Sequence, residues 1–216
     1  MISVGAWLFQ LWIRITGYPV YRFRANPKYK YEDRKTQGRL IWGKSIIVSN
    51  HTTVWDFGFW LYALPLRAHR CIMADVLLHK NFFLTLFLKM NQGIFVSREV
   101  QDLGFIRKSE KVLNRGGVVQ IFPEARIAND DEERPLPFTP SFVYLALKCN
   151  APIIPLYSSG NYFKKERTKA AIGKPIYASE LYDKGKSRKE NLVAIAETVR
   201  QKIIELGEGF EHGEKA

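Results

Sequence analysis

The sequence predicts an α/β fold, a mostly parallel sheet covered by helices on both faces, preceded by an N-terminal membrane-associated helical segment. Short apolar runs rich in Ile and Val recur along the chain, and stretches with helical spacing separate them. This alternation is typical of βαβ units, whose strands are buried on both faces and therefore read as continuous apolar runs. A chain of 216 residues is long enough to bury the core of one such domain.

The first element is an uncharged segment over residues 1–13, which Arg14 interrupts. It is shorter than the roughly 20 apolar residues that cross a bilayer, and it lacks the basic start and cleavage site of a signal peptide. On a helical wheel Ser3, Gln10 and Arg14 form a narrow polar stripe. The wide apolar face comprises Trp7, Leu8, Leu11, Trp12 and Ile15. We expect a helix that lies in a membrane interface or, alternatively, packs on the protein's own core.

A basic stretch follows Gly17 and Pro19. Its cations are Arg22, Arg24, Lys28, Lys30, Arg34, Lys35 and Arg39. The chain has 33 Lys and Arg against 21 Asp and Glu, a formal charge of +12, which indicates an anionic partner such as a lipid surface, a phosphorylated substrate or nucleic acid. We therefore expect a membrane-associating helical segment with a basic linker over residues 1–38, and a main domain over residues 39–216.

Strands and helices alternate in the main domain. The predicted strands are 45–49, 70–74, 93–97, 117–122 and 152–157, with a further strand within 168–177. The predicted helices are about 54–64, 76–90, 101–115, 140–149 and 188–206, and we expect the chain to fray from Gly209 onward. Residues 82–88 read most simply as a core helix, but they could also line an apolar tunnel or touch a membrane.

The chain is organised around residues 45–58, where a buried strand stops at a polar turn and an aromatic helix follows. With His51 in the turn and Asp56 in the first helical turn, the two side chains can face each other. Asp56 would then accept a hydrogen bond from one imidazole nitrogen and leave the other free as a general base. Alternatively, Thr53 and Asp56 have the spacing of a capping box, and Asp56 would only cap the helix.

Charged residues follow three of the predicted strands. Ligands of parallel sheets bind beyond the carboxyl ends of the strands, and His51, Arg98 and Glu124 each follow one of these ends. If the strands are parallel neighbours, a base, a guanidinium and a carboxylate meet at one edge. The guanidinium could clamp a phosphate, and Pro123 would direct Glu124 and Arg126 over the same edge.

Neither disulfide nor metal chemistry is indicated. Cys71 and Cys149 lie far apart in apolar surroundings and are interpreted as small core residues of a reducing compartment. The four histidines are scattered and show no metal-ligand spacing, so we expect no metal site. The acidic run 130–133 is interpreted as a solvated loop.

Four short blocks, in order between about residues 40 and 178, carry a family resemblance. They are Asn50-His51 with Asp56, residues 93–98 (GIFVSR), residues 122–124 (FPE) and residues 151–156 (APIIPL). Together they resemble the motifs of the glycerolipid (PlsC-like) acyltransferase family, whose first motif is N-H-x4-D and whose third is F-P-E-G-T-R. The third block departs from that pattern: Ala125 replaces glycine, Arg126 replaces threonine and Ile127 replaces arginine.

The resemblance implies an enzyme that moves a fatty-acyl group from an acyl thioester, either acyl-CoA or acyl-carrier protein, to the hydroxyl of lysophosphatidate. His51 would be the general base and Asp56 would orient it. The implied substrate-binding residues are Asn50, Gly93, Arg98, Phe122, Pro123, Glu124 and Arg126. Transfer would be direct and need no cofactor, with backbone N–H groups at the helix start stabilising the oxyanion. Because the family acts at membranes, we expect a peripheral protein on the cytoplasmic face of an anionic membrane.

Other functions stay open. The altered third block allows a different lysophospholipid or lipid-like acceptor, and a non-catalytic peripheral membrane protein that binds anions would keep the same fold. Nucleic-acid binding would explain the charge, but no RNP-like block, zinc-finger spacing or helix-turn-helix is visible, so we expect no nucleic-acid partner. A hydrolase is disfavoured because the sequence has no G-x-S-x-G elbow.

Overall fold

The computed structural model describes residues 4–64, 68–97 and 104–212 and contains a seven-stranded sheet. The strands are β1 Lys28–Tyr31, β2 Ser45–Ser49, β3 His69–Ala74, β4 Ile94–Val96, β5 Val118–Ile121, β6 Ile153–Ser158 and β7 Lys169–Ile172. Their order across the sheet is β1-β7-β6-β2-β5-β3-β4. Strands β2 to β6 are mutually parallel, whereas β7 runs antiparallel to β6 and β1 runs parallel to β7. The prediction of a mostly parallel sheet is confirmed.

Helices cover both faces of the sheet, as predicted. They are α1 Val4–Val20, α2 Asp56–Ala63, α3 Phe82–Met90, α4 Gly104–Leu113, α5 Ser141–Cys149 and α6 Arg188–His212. A π-helical turn, Tyr21–Ala25, follows α1, and a 3₁₀ turn, Asp75–His79, precedes α3.

The central strand β2 separates two apolar cores. Ile46 and Val48 belong to one core and Ile47 to the other, and all three are fully buried. Side chains alternate between the faces of a strand, so the two cores lie on opposite faces. The first core is completed by α4, α5 and α6, and the second by α2 and the π-helical turn. Cys71 and Cys149 are buried and form no disulfide.

The helix predicted over residues 76–90 is divided in two. Asn81 has an extended backbone, and its side chain accepts the backbone N–H of Leu84 at 2.8 Å. This is the N-cap geometry, which starts α3 afresh and leaves the 3₁₀ turn as a separate element. Only Leu88 of α3 is buried, while Phe82 and Phe83 are exposed, so the interpretation of this stretch as a core helix is wrong.

Strand β1 was not predicted, because Lys and Tyr alternate in a segment interpreted as a basic linker. Lys28 pairs with Lys169 and Tyr31 with Ile172, so β1 is an edge strand of the main sheet. Charged side chains are common on edge strands, where they discourage pairing with other chains.

The C-terminal end is ordered further than expected. Helix α6 continues through Gly209 to His212, and the side chain of Phe210 is only 1% exposed. Its ring lies 6.4 Å from the ring of Tyr157, with the Lys30 ammonium 5.2 Å from the ring centre. The expectation of fraying is wrong for residues 209–212, because this aromatic contact anchors the last turns of the helix. Residues 213–216 lie outside the described residues.

Helix α1 turns its polar side toward the protein. Gln10 is 4% exposed, whereas Trp12 is 60% and Ile15 is 65% exposed. The Tyr62 hydroxyl of α2 donates to the Ile13 carbonyl at 3.1 Å, and Gly17 provides the space for this tyrosine.

Helix α1 lies against α2 and α3 and keeps its apolar face outward. It therefore packs on the domain and also presents an apolar surface. Its placement in a membrane interface stays a prediction. The side chain of Trp7 lies outside the described residues. Within the described ranges, no helix has the length and apolar character needed to cross a membrane.

We expect Phe210→Ala to lower the free energy of unfolding by about 3 kcal/mol, because it removes a buried ring from the end of α6. Urea denaturation measures the change. The control is Val193→Ala, an exposed position on the same helix, which should change stability by less than about 0.5 kcal/mol. Equal effects of the two substitutions would contradict packing of the C-terminal turns.

Candidate active site

The site is built on the turn that links β2 to α2. His51 lies in this turn, and Asp56 is the first residue of α2. Nδ1 of His51 lies 2.8 Å from Oδ2 of Asp56, which is the contact that the sequence predicts. The Asp56 side chain is fully buried, whereas that of His51 is 22% exposed. Because the carboxylate accepts a hydrogen bond from Nδ1–H, Nε2 is the nitrogen available to a substrate.

The Asp56 carboxylate accepts five described hydrogen bonds. Oδ2 accepts the His51 ring and the backbone N–H groups of Thr52 and Thr53, the latter two at 2.6 and 2.9 Å. Oδ1 accepts the hydroxyls of Thr52 and Tyr162, at 2.8 and 2.6 Å. The bond to Thr53 N–H is half of a capping box. Asp56 therefore both starts the helix and holds the histidine ring, and the role of His51 as a general base stays a prediction.

Tyr162 is a site residue that sequence reasoning missed. It is 106 positions from Asp56, and no local pattern links the two. Its hydroxyl lies 2.7 Å from Oγ of Ser158, and burial next to the Asp56 carboxylate raises the pKa of Tyr162 well above its usual value. The hydroxyl therefore stays protonated and donates to Asp56. Gly160, with φ of 71°, brings this segment against Thr52, and a Cβ there would collide with the Thr52 side chain.

Asn50 joins the ends of two neighbouring strands. Its Nδ2 donates to the Ser158 carbonyl at 2.8 Å, and its Oδ1 accepts the Ser158 N–H at 2.9 Å. These two bonds join the residue after β2 to the last residue of β6, next to the paired part of the two strands. Asn50 is buried, and its side chain holds the backbone of the two strand ends together.

Glu124 and Pro123 connect the turn after β2 with the loop after β5. Oε1 of Glu124 accepts the His51 N–H at 2.6 Å, and Oε2 accepts the Leu136 N–H at 2.7 Å. The Pro123 carbonyl accepts the backbone N–H and the hydroxyl of Thr139. Burial raises the pKa of Glu124, although its two backbone contacts favour the charged form. The predicted meeting of His51 and Glu124 is present, with Glu124 holding the backbone of the histidine.

Phe122 lies beside the imidazole of His51, and the altered residues of the third block follow it. The Phe122 and His51 rings stack with centres 4.7 Å apart, which limits rotation of the imidazole. Ala125 has φ of 61°, the left-handed region that the expected glycine occupies without strain. Arg126 is exposed and makes a two-pronged ion pair with Glu132.

Gly93, another predicted substrate-binding residue, directly precedes β4. A Cβ on Gly93 would lie 3.1 to 3.4 Å from Phe95, Met73 and Leu88, so close packing explains this glycine. Arg98 falls in residues 98–103, outside the described residues.

Four N–H groups at the start of α2 already donate hydrogen bonds within the protein. Thr52 and Thr53 donate to Asp56, Trp55 donates to the Thr53 hydroxyl, and Asp56 donates to the Thr53 carbonyl. The expectation that N–H groups at this helix start stabilise an oxyanion is not supported for these four donors.

His51 opens into an apolar groove with a cavity volume of about 520 Å³. Leu84 and Leu88 of α3 line it, so part of 82–88 does form a groove wall, and Arg126 is a cation at its edge. The other lining residues are Val54, Phe57, Cys71, Ile72, Met73, Ala74, Val76, Leu77, Val96, Phe105, Ile121, Phe122, Ala125, Ile127, Thr139 and Ser141. A histidine beside an apolar groove suits a substrate with a hydrocarbon chain.

Comparison with known proteins gives three matches. A family model described as acyltransferase matches residues 29–159. The 1-acyl-sn-glycerol-3-phosphate acyltransferase of Bacillus subtilis (strain 168) is 30% identical over 148 residues, which cover 66% of this chain and 70% of that protein. The crystal structure of the 1-acyl-sn-glycerophosphate (LPA) acyltransferase PlsC from Thermotoga maritima superposes with a TM-score of 0.66.

The superposition covers 92% of this chain and 79% of the Thermotoga protein at 20% identity, and it shows a shared fold. The family model spans well over half of the chain and includes the histidine turn, the groove and the third block. The resemblance carried by the four sequence blocks is thereby confirmed, and the chain belongs to the acyltransferase family.

Proposed function

We propose that the protein transfers a fatty-acyl group from an acyl thioester to the free hydroxyl of lysophosphatidate, which yields phosphatidate. The observation that carries the proposal is the His51–Asp56 pair at the opening of an apolar groove. The similarity to a Bacillus protein named 1-acyl-sn-glycerol-3-phosphate acyltransferase supports this acceptor.

His51 acts as the general base in this scheme. Its Nε2 takes the proton of the acceptor hydroxyl as the oxygen attacks the thioester carbonyl. The buried Asp56 carboxylate stabilises the imidazolium that forms. When the tetrahedral intermediate collapses, the C–S bond breaks and the imidazolium returns the proton to the departing thiolate. The products are an ester and a free thiol, and the scheme uses no cofactor.

The groove holds the acyl chain. Met73, Leu77, Leu84 and Leu88 supply apolar walls, and their burial against a hydrocarbon chain is favourable by about 25 cal/mol per Å². The donor is acyl-CoA or acyl-carrier protein, and the net charge of +12 favours either of these anionic carriers.

Arg126 contacts the acceptor's phosphate. It is a cation on the groove that also contains His51, and its planar guanidinium suits a phosphate. Its one-residue displacement from the family's arginine, with apolar Ile127 in that position, also supports a second candidate, a different lysophospholipid as acceptor.

The protein works as a peripheral protein on the cytoplasmic face of an anionic membrane. The outward apolar face of α1 and the exposed Phe82 and Phe83 of the adjoining α3 supply the apolar contact. The exposed Arg22 and Arg24, directly after α1, attract anionic headgroups by roughly 1 kcal/mol each.

His51→Ala should lower thiol release from palmitoyl-CoA in the presence of lysophosphatidate by about 10²- to 10⁴-fold, because the general base is lost. The matched control is His79→Ala, since this histidine is exposed and does not line the groove. Wild-type release that needs no acceptor would indicate a thioesterase instead. No wild-type release with either donor across a panel of lysolipids would favour the non-catalytic binding protein.

Tyr162→Phe should lower kcat by about tenfold while the KM values of both substrates stay within about twofold. The variant removes one charge-assisted hydrogen bond to Asp56 but leaves the groove unchanged. Steady-state kinetics measures the separation of kcat from KM, with Tyr177→Phe at an exposed site as control. An unchanged kcat in a folded Tyr162 variant would show that the hydroxyl does not help to position the base.

Replacing Trp12 and Ile15 together with serine should weaken binding to anionic vesicles at least tenfold. Each exposed apolar side chain contributes about 1.5–3 kcal/mol when it enters the membrane interface. Co-sedimentation with phosphatidylglycerol vesicles measures the change. The control replaces the exposed Leu181 and Val193, which lie outside α1 and α3, with serine. Equal binding by the two double variants would contradict docking through α1.

A further inference from the structure

Arg126 is held by a neighbouring carboxylate on the edge of the groove. Its Nη1 donates to Oε2 of Glu132 at 2.6 Å, and its Nη2 donates to Oε1. The two planar groups therefore meet end to end, the bidentate geometry that a guanidinium also uses for phosphate. The acceptor's phosphate and the Glu132 carboxylate can therefore form the same two-pronged contact with Arg126.

Glu132 is itself held in place. Its Oε2 accepts the Asn129 N–H at 2.7 Å. Arg134 donates to the carbonyls of Ala128 and Asn129 at 3.0 and 3.3 Å, which folds the loop back on itself. The far end of the same loop is attached at Leu136, which donates to Glu124. The carboxylate is therefore presented to Arg126 by a braced loop.

Glu132 is ionised at neutral pH. The hydrogen bonds from Arg126 and from the Asn129 N–H lower the pKa of Glu132 to about 2. A folded-state pKa below the ordinary value means that the contact is present at neutral pH and is lost only as the pH falls toward 2. The pair has no net charge, so the positive charge of Arg126 is balanced before any substrate arrives.

We propose that Glu132 is a resting counter-ion that competes with the acceptor's phosphate for Arg126. Binding of a phosphorylated headgroup exchanges one ion pair for another, and the loop carboxylate sets the affinity of the site. The inference rests on the proposed function for its substrate class. Arg126 departs from the family's third motif, which has threonine at this position.

The test compares Glu132→Gln with Asp131→Asn. Both substitutions add one unit of positive charge to the same exposed loop, so they alter general attraction to anions equally, but only Glu132 pairs with Arg126. Calorimetric titration with sn-glycerol 3-phosphate measures headgroup affinity without an acyl chain or a membrane. The KM for lysophosphatidate in mixed micelles, with palmitoyl-CoA as donor, is measured in parallel.

Relative to Asp131→Asn, Glu132→Gln should bind sn-glycerol 3-phosphate about two- to fivefold more tightly and lower the KM for lysophosphatidate by a similar factor, the range of an exposed ion pair. The gain should vanish when Arg126→Ala is combined with Glu132→Gln, because the two residues act through one contact.

Unchanged or weaker binding by Glu132→Gln, or a gain that persists without Arg126, would overturn the inference. A wild type that transfers no acyl group to lysophosphatidate would overturn the proposed function instead. The calorimetric titration needs no turnover and decides the role of Glu132 in either case.

Discussion

A buried carboxylate is the constraint on which the rest of the site depends. Asp56 has no exposed surface, and removing a charged group from water is unfavourable unless hydrogen bonds replace the lost hydration. Its donors come from the turn after β2 and from Tyr162 in the segment after β6. Folding must therefore bring these segments together before the charge can be buried, and the same contacts orient His51. The same hydrogen bonds therefore allow Asp56 to be buried and hold the imidazole of His51 in position.

Two of the motif residues, Asn50 and Glu124, form hydrogen bonds with backbone groups of neighbouring segments. Asn50 joins β2 to β6, and Glu124 joins the histidine's own N–H to the loop after β5. A motif residue can therefore be required for activity without touching a substrate, because it sets where its neighbour lies. Ala125 and Arg126, two of the three residues that depart from the family pattern in the third block, are exposed, whereas the matching Pro123 and Glu124 are buried and hold backbone.

Local sequence patterns are sufficient to predict the parallel sheet and the contact within the histidine turn. Strand β2 is a continuous run of buried aliphatic residues, and the spacing of His51 and Asp56 is short enough to be read along the chain. Strand β1 and Tyr162 were missed for different reasons. The alternating Lys and Tyr of β1 resemble a solvated segment, and Tyr162 reaches Asp56 only through the crossover that places β6 beside β2. The sequence also gave no signal that Phe210 would anchor α6.

The two ends of helix α2 make different contacts. Asp56 lies at its first turn and contacts His51, while Tyr62, near its last turn, donates to α1. The six residue steps between them correspond to about 9 Å along the helix axis. In the proposed membrane-bound state, α1 rests in the lipid interface and α2 links it to the turn that holds the imidazole. A shift of α1 on the bilayer would then be transmitted to His51, so the docking helix and the site would not move independently.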